Sequence, residues 1–388
     1  MVVGLQVYGM RRLAENLRND TMADLEPDVL TIPASHFVDT GHAQRELALM
    51  RTLPLVVGHG SELPSPGSFV TREILGTPVI LARRDDGTVA GYLNMCRHRG
   101  AIVETEPSGA HRLFTCGYHG WSYERDSGEL RHVPFGDNFG DIDPGCKSLI
   151  SITVQEHHGL LWTALEPRAP FDVQAYLGPE IESQLDDFGL RRATLFHQED
   201  IHLDFNWKLV MDGAIDVLHL KFLHPQGVAK FLVTGRSCFD KYGRHGQNFT
   251  PRKRLERIVD DGVEPAADEL WRYMSTNIVI YPNSMCIKAP DHFEFWTVMP
   301  HQEDPLRCTV SIRFLVLPEV LTDEVGDRIR RSWAVLKQAA TEEDFPMEAS
   351  IQRNAVANRQ SSFIYGRNER SIRHLHQSLA TDLAAFSG

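Results

Sequence analysis

Four residues pose the first chemical question. Cys96 and His98 stand two apart, and Cys116 and His119 follow after seventeen residues beyond His98. The pattern is C-x-H-x17-C-x2-H. Two thiolates and two imidazoles in paired short loops can ligate one zinc ion. They can equally ligate a 2Fe–2S cluster, with Cys on one iron and His on the other. Each loop supplies one Cys and one His. That favours two chemically different irons over a zinc finger, in which Cys pairs with Cys and His with His. Imidazole in place of thiolate raises the reduction potential, so such a cluster accepts electrons from a low-potential donor.

A second group lies between Asn206 and Pro225. Asp212, Asp216, His219 and His224 fall within 13 residues, as D-x3-D-x2-H-x4-H, on an otherwise apolar stretch. Burying that much polarity is costly unless a metal or partner satisfies it. Asp216 and His219 face one side of a helix. His219 and His224 diverge by roughly 140° at about 100° per residue. To share a metal, the helix must end or distort between them, and Pro225 supplies a stop by pushing His224 out of the helical region. Two His and one carboxylate leave open positions on Fe(II), as non-heme oxygenases require. The carboxylate need not be local. Glu342-Glu343-Asp344, with Gln352-Arg353 downstream, is the distant candidate. Thr341 with Asp344 also has the spacing of a capping box, and acids are common at helix starts.

The elements that must position these groups change texture along the chain. From about Leu53 to Leu165, short β-rich runs (Phe69–Leu75, Val79–Arg83, Val89–Met95, Ile150–Gln155, Gly159–Ala164) are separated by turn signals, which predicts a small all-β domain. Before it, Leu5–Leu17 has the period of a helix with Leu5, Tyr8, Leu13 and Leu17 on one face. After Pro167, strand-like stretches (Asn277–Tyr281, Phe293–Met299, Thr309–Leu317) alternate with helical ones, Lys208–Leu223 and Thr322–Ala340. In the latter, Val325, Ile329, Trp333 and Leu336 share a face. Gly235–Asp268 reads as a long surface loop, and its basic part, Lys241–Arg257, as a solvated face or a docking site for an acidic electron carrier.

Asn94-Met95-Cys96-Arg97-His98-Arg99-Gly100 and Phe114-Thr115-Cys116-Gly117-Tyr118-His119-Gly120-Trp121-Ser122-Tyr123 resemble the Rieske family. Asn206-Trp207-Lys208, the D-x2-H-x4-H motif and the late Glu343-Asp344 follow in the order of a ring-hydroxylating oxygenase α subunit, from Val56 to Gln352. The resemblance implies an α+β chain: a small all-β Rieske domain inserted before a helix-grip catalytic domain, an antiparallel sheet with helices. The expected division is 1–45, a helical segment on the catalytic domain; 46–166, the 2Fe–2S domain; and 167–388, the mononuclear iron domain. It implies a cluster on Cys96, His98, Cys116 and His119, and one Fe(II) on His219, His224 and Asp344, with Glu343 the alternative carboxylate. Arg97 and Arg99 would lie near the cluster. Asp216 would bridge His119 of one chain to His219 of the next in a homotrimer, with or without a separate β subunit. Asp212, where many relatives have Asn, is a departure.

The implied activity is that of a terminal oxygenase using O2 and NAD(P)H-derived electrons to hydroxylate or cis-dihydroxylate a small aromatic compound. The alternative is N- or O-demethylation, or hydroxylation, of a non-aromatic molecule such as a quaternary amine. NAD(P)H and flavin belong to a separate reductase, with or without a ferredoxin, because the chain lacks a G-x-G-x-x-G fingerprint. Pocket candidates are Met211, Asp212, Ile215, Leu218 and Leu223, with Phe293 and Phe295. An electron carrier or redox-sensing iron–sulfur protein is the rival class. Respiratory-type Rieske carriers have extra loop cysteines, where this chain has Arg97 and Gly117.

Composition narrows the rest. The net charge of −12 argues against nucleic acid and anionic lipid as partners. Six cysteines in 388 residues do not make a disulfide framework, so Cys146, Cys238, Cys286 and Cys308 read as buried free thiols. No signal-peptide pattern and no long apolar run occur, which makes cytoplasm the expected location. His157-His158 reads as a strand-end pair with no ligand spacing.

Overall fold

The computed structural model describes residues 3–21, 25–143, 145–166, 171–259, 266 and 269–386. The chain divides into two units: Met50–Val173, and Met1–Leu49 with Gln174–Gly388.

The Met50–Val173 unit is all-β. A seven-stranded antiparallel sheet runs in the order Leu55–His59, Leu160–Ala164, Ser151–His157, Val89–Leu93, Thr77–Arg83, Ser68–Ile74, Ser108–Ala110. A three-stranded sheet of Leu113–Thr115, Ser122–Glu124 and Leu130–His132 completes it. Phe69, Ile80, Tyr92, Phe114, Trp121 and Tyr123 form the core, and Cys96 and Cys116 are buried in it. Both ligand loops are thereby anchored by apolar burial rather than by long elements. Cys146, expected to be buried, is exposed, on a single-turn helix where Asp143 accepts from its thiol.

The other unit is built on a second seven-stranded antiparallel sheet, in the order Thr194–Leu203, Cys308–Val316, Phe293–Pro300, Ser284–Lys288, Met274–Ile280, His245–Pro251, Cys238–Tyr242. Cross-strand partners share a face. Asn248, Asn277, Ile287, Glu294 and Phe314 therefore line up on one side. On that side lies the helix Trp207–Ile215, because Asn248 Nδ2 donates to Ile215 O and Asn277 Nδ2 to Ala214 O. Phe293 and Phe295 point the opposite way, and Phe293 packs on Phe188. The alternation of the strand thus turns these two expected pocket residues away from the Trp207–Ile215 helix.

Several sequence expectations change here. The N-terminal helix spans Val3–Arg18, but Tyr8 is exposed; Met10, Leu13 and Ala14 form the buried face with Leu17 packed alongside. Gly9 rotates the face by letting the helix backbone approach the Phe249 ring. The expected loop from Gly235 holds the strands Cys238–Tyr242 and His245–Pro251 and the helix Lys253–Val259; residues 260–265, 267 and 268 lie outside the described residues. His245–Pro251 is buried throughout although polar, because its side chains are hydrogen-bonded, as with Gln247 to Thr276. The basic run is therefore no free loop: Lys241 pairs with Glu26 and Arg244 with Asp382. Lys208–Leu223 is two helices, Trp207–Ile215 and Leu220–Leu223. The helix from Thr322 runs Asp323–Gln338 and then widens into a π-helical turn, Ala339–Asp344.

Candidate metal centres

In the all-β unit, the two ligand loops approach each other. The His98 and His119 rings have centroids 4.8 Å apart. His98 stacks on Trp121, 5.0 Å between centroids and 6° from parallel, and its buried Nδ1 has no hydrogen-bond partner among the described residues. Tyr123 OH lies 3.2 Å from Cys96 Sγ and accepts from Arg97 N at 2.9 Å. Arg99 Nη2 reaches His119 Nε2 at 2.8 Å, and its guanidinium lies over Tyr118. Burial, backed by Cys96, raises the Cys116 thiol pKa, a cost that binding as thiolate to metal would remove. Two buried sulfurs, two imidazoles and an orphaned ring nitrogen fit a 2Fe–2S cluster.

In the other unit, the second group is assembled by a helix break. Asn206 caps the Trp207–Ile215 helix by accepting from Lys208 N at 3.0 Å. Its amide also donates to Phe37 O and Pro305 O. Trp207 Nε1 and Lys208 Nζ both donate to buried Glu46, at 3.0 Å and 2.7 Å. The Asn-Trp-Lys motif therefore clamps the start of this helix; Glu46, the acid it needs, carried no sequence signal. The helix ends at Asp216, whose backbone is extended at ψ 136°. The Asp216 carboxylate accepts from Leu218 N at 2.7 Å and His219 N at 3.2 Å, which starts the short second helix. That turn closes at His224, directly before Pro225.

The result is a compact triad. His219 Nε2 lies 3.6 Å, and His224 Nε2 2.8 Å, from Asp344 Oδ1. Ligand atoms of all three residues fall within 4.8 Å of one another. Asp344 closes the π-helical turn and makes no capping bond, so the capping-box alternative does not hold. Such turns recur at functional sites. Each imidazole is held from behind by an acid. His219 Nδ1 lies 3.0 Å from Asp216 Oδ2, and His224 Nδ1 pairs with Glu343 Oε2. Glu343 thus grips a histidine from outside the triad. Anchoring of one ring nitrogen by a carboxylate presents the other to metal. Burial raises the Asp344 carboxyl pKa, partly offset by His224 and His219. For His219, burial is the largest influence and opposes the charge, but the Asp216 hydrogen bond together with the Asp216 and Asp344 charges outweighs it, and the pKa rises.

The other candidates have different surroundings. Asp212 accepts from Tyr365 OH at 2.7 Å and pairs with His376 Nε2 at 2.8 Å. Met211 and Ile215 are buried, and Leu223 is half-buried. Leu218 lines a cavity of about 640 Å³ with Lys221, Phe222 and Arg236. Glu348, not singled out from sequence, is buried one turn beyond Asp344; burial, then the Asp344 and Asp212 charges, hold its pKa well above the ordinary range. No helix among the described residues is long and apolar enough to cross a membrane.

A Rieske-type β unit and a two-His, one-carboxylate site on a helix-covered antiparallel sheet define a two-centre iron oxygenase. Sequence families agree: the Rieske [2Fe-2S] domain matches residues 54–149, and the catalytic domain of the ring hydroxylating alpha subunit matches 190–385. The chain belongs to the Rieske non-heme iron oxygenases, as an α subunit. It is 35% identical over 352 residues to the large oxygenase component of the naphthalene 1,2-dioxygenase system of Pseudomonas fluorescens, covering 77% of this chain and 74% of that one. It is 25% identical over 264 residues to the carnitine monooxygenase oxygenase subunit of Escherichia coli (strain K12), covering 65% and 68%. The crystal structure of a quaternary ammonium Rieske monooxygenase with L-carnitine shares the fold, with TM-score 0.74, 18% identity and 95% and 97% coverage. The two domains imply an iron–sulfur cluster and a mononuclear iron.

Proposed function

We propose that Cys96, His98, Cys116 and His119 hold the cluster, that His219, His224 and Asp344 hold one Fe(II), and that the chain hydroxylates or cis-dihydroxylates a small aromatic compound. The observation that carries the reading is the triad itself: two Nε2 atoms converge on one carboxylate, and both Nδ1 atoms are braced by acids. Iron held by His219, His224 and Asp344 would supply O2 activation, and a cluster held by Cys96, His98, Cys116 and His119 would supply single electrons. The protein's part is to fix both imidazoles, through Asp216 and Glu343, and to bury the site. Electrons come from a separate reductase, directly or through a ferredoxin, since the sequence carries no dinucleotide fingerprint. The chain works in the cytoplasm, as a homotrimer in which Asp216 links His119 of one chain to His219 of the next.

As the first reading is supported by the naphthalene 1,2-dioxygenase component, the second, oxidation of a non-aromatic amine, is supported by another part of the relatives. One is a carnitine monooxygenase subunit, and another, from Chromohalobacter salexigens, is a glycine betaine monooxygenase subunit, 30% identical over 173 residues. Product analysis with a surrogate reductase separates the two. A cis-diol or phenol from an aromatic probe supports the first; formaldehyde or an aldehyde from an alkylamine, with no aromatic product, supports the second.

A further inference from the structure

Two buried oxygens packed against the helix that leads to His219 have no hydrogen-bond partner among the described residues. Glu348 lies on the helix Phe345–Val356, one turn beyond Asp344, so both project from one face. It is 6% exposed, and its Oε2 makes no hydrogen bond among the described residues. Its Oε1 rests against Gly213, where a methyl group would collide with it. A glycine on the helix leading to His219 thus makes room for this carboxyl. At the next residue, Asn277 Nδ2 donates to Ala214 O at 3.4 Å and also approaches Met285 Sδ at 3.4 Å. The atom left over is Oδ1, an acceptor, also buried and without a partner among the described residues. Residues 213 and 214 are therefore flanked by a carboxyl and an amide oxygen, both of which a cationic N–H donor would satisfy while keeping Glu348 ionised. Trp296, the cross-strand partner of Met285, adds an indole ring on the same sheet face.

A buried unsatisfied oxygen is expensive, and native proteins keep few of them. A hydrocarbon substrate would leave both unsatisfied, and a quaternary ammonium has no N–H to offer. We propose that Glu348, with Asn277, selects a substrate bearing an N–H amine or ammonium group and so orients its oxidisable carbon towards the metal. The proposal rests on the reading of His219, His224 and Asp344 as the iron site, and it narrows the substrate of that site. It is compatible with an aromatic amine or an alkylamine. Sites built to bond a polar group reject analogues that lack it strongly.

The test is calorimetric binding to the iron-loaded protein of three probes of similar frame: benzylamine, toluene and benzyltrimethylammonium. Benzylamine should bind at least about 10-fold more tightly than either of the others. Glu348→Met should bring benzylamine within about 3-fold of toluene, and Glu348→Gln, whose amide oxygen still accepts, should retain part of the preference. Equal or tighter binding of toluene or benzyltrimethylammonium overturns the proposal, as does an unchanged preference in Glu348→Met; if that variant fails to fold, an undiminished benzylamine preference in Glu348→Gln overturns it equally. The ferrous–nitrosyl spin-resonance signal locates the probe and should shift with benzylamine. A benzylamine preference that depends on Glu348 in protein without that signal supports the recognition role while contradicting the iron site.

Discussion

At the residue scale, the proposed iron site makes Asp344 the ligand and Glu343 the brace of His224, although the two are neighbours in sequence. Asp344→Ala should lose the mononuclear iron and all turnover while the visible spectrum of the cluster persists. Glu343→Gln keeps size and a hydrogen-bonding group at His224 Nδ1, so it should bind iron about 10–100-fold more weakly and still turn over at high iron. Iron content and turnover across an iron titration read both. If Glu343→Gln loses iron outright and Asp344→Ala keeps it, the assignment is off by one. The Cys and His candidates stood out in the sequence because they carry their chemistry in type and short spacing; Asp344, 120 residues beyond His224, was suggested only by the family resemblance. Glu343's grip on His224 was not, because it joins positions 119 residues apart. The unsatisfied Glu348 carboxyl was equally silent, since its neighbour Gly213 belongs to a different helix.

At the element scale, the Trp207–Ile215 helix is held at its start by a buried ion pair. Lys208 Nζ lies 2.7 Å and 2.8 Å from the Glu46 carboxylate oxygens, both residues are buried, and His42 and Trp207 also reach Glu46. Lys208→Met leaves an uncompensated buried carboxylate and should cost about 3–5 kcal/mol by chemical denaturation. Lys208→Met with Glu46→Gln should recover much of that; a double variant no more stable than the single would show that the charge pair is not what matters. The buried strand His245–Pro251 gives a pH-dependent counterpart. His245 Nε2–H donates to Tyr176 O, and its Nδ1 accepts from Tyr281 N. Burial, with Arg244 and His374 nearby, lowers its pKa to about 4. The unfolded chain takes up a proton near pH 6.5 (roughly) and the folded chain only near 4, so stability is lost as pH falls between these values, on the order of 3 kcal/mol in all. His36, also lowered to about 4, titrates in the same window. The difference in slope between wild type and His245→Gln therefore isolates His245, and an unchanged slope would remove it as a cause. Strand alternation and turn residues made strands such as Thr77–Arg83 and Phe293–Pro300 readable. His245–Pro251 was misread because its polar residues are satisfied by sheet neighbours rather than by solvent, and no local pattern reports that.

At the scale of the whole molecule, the reading places the cooperating centres on different chains. Chains lacking the cluster (Cys96→Ala) and chains lacking the mononuclear iron (His219→Ala) should each be inactive, and co-assembled they should recover part of the activity. Adding Asp216→Asn to the chain that carries the working iron should abolish the recovery while both metals and the assembly remain. No recovery in verified mixed assemblies would mean that each chain works alone. The two-unit order was legible from the change in texture near residue 167. The proposed trimer rests on the family resemblance alone, because a symmetric interface leaves no periodic mark on a single chain.

The claim beneath all of this is that one chain carries two different iron sites. Iron and acid-labile sulfide, quantified per chain on the purified protein after iron reconstitution, test it most directly. The expected result is about three irons with about two sulfides, falling to about two irons with about two sulfides in Asp344→Ala. About two irons with two sulfides in the unaltered protein, and no further loss in Asp344→Ala, would contradict the mononuclear site and leave an iron–sulfur carrier.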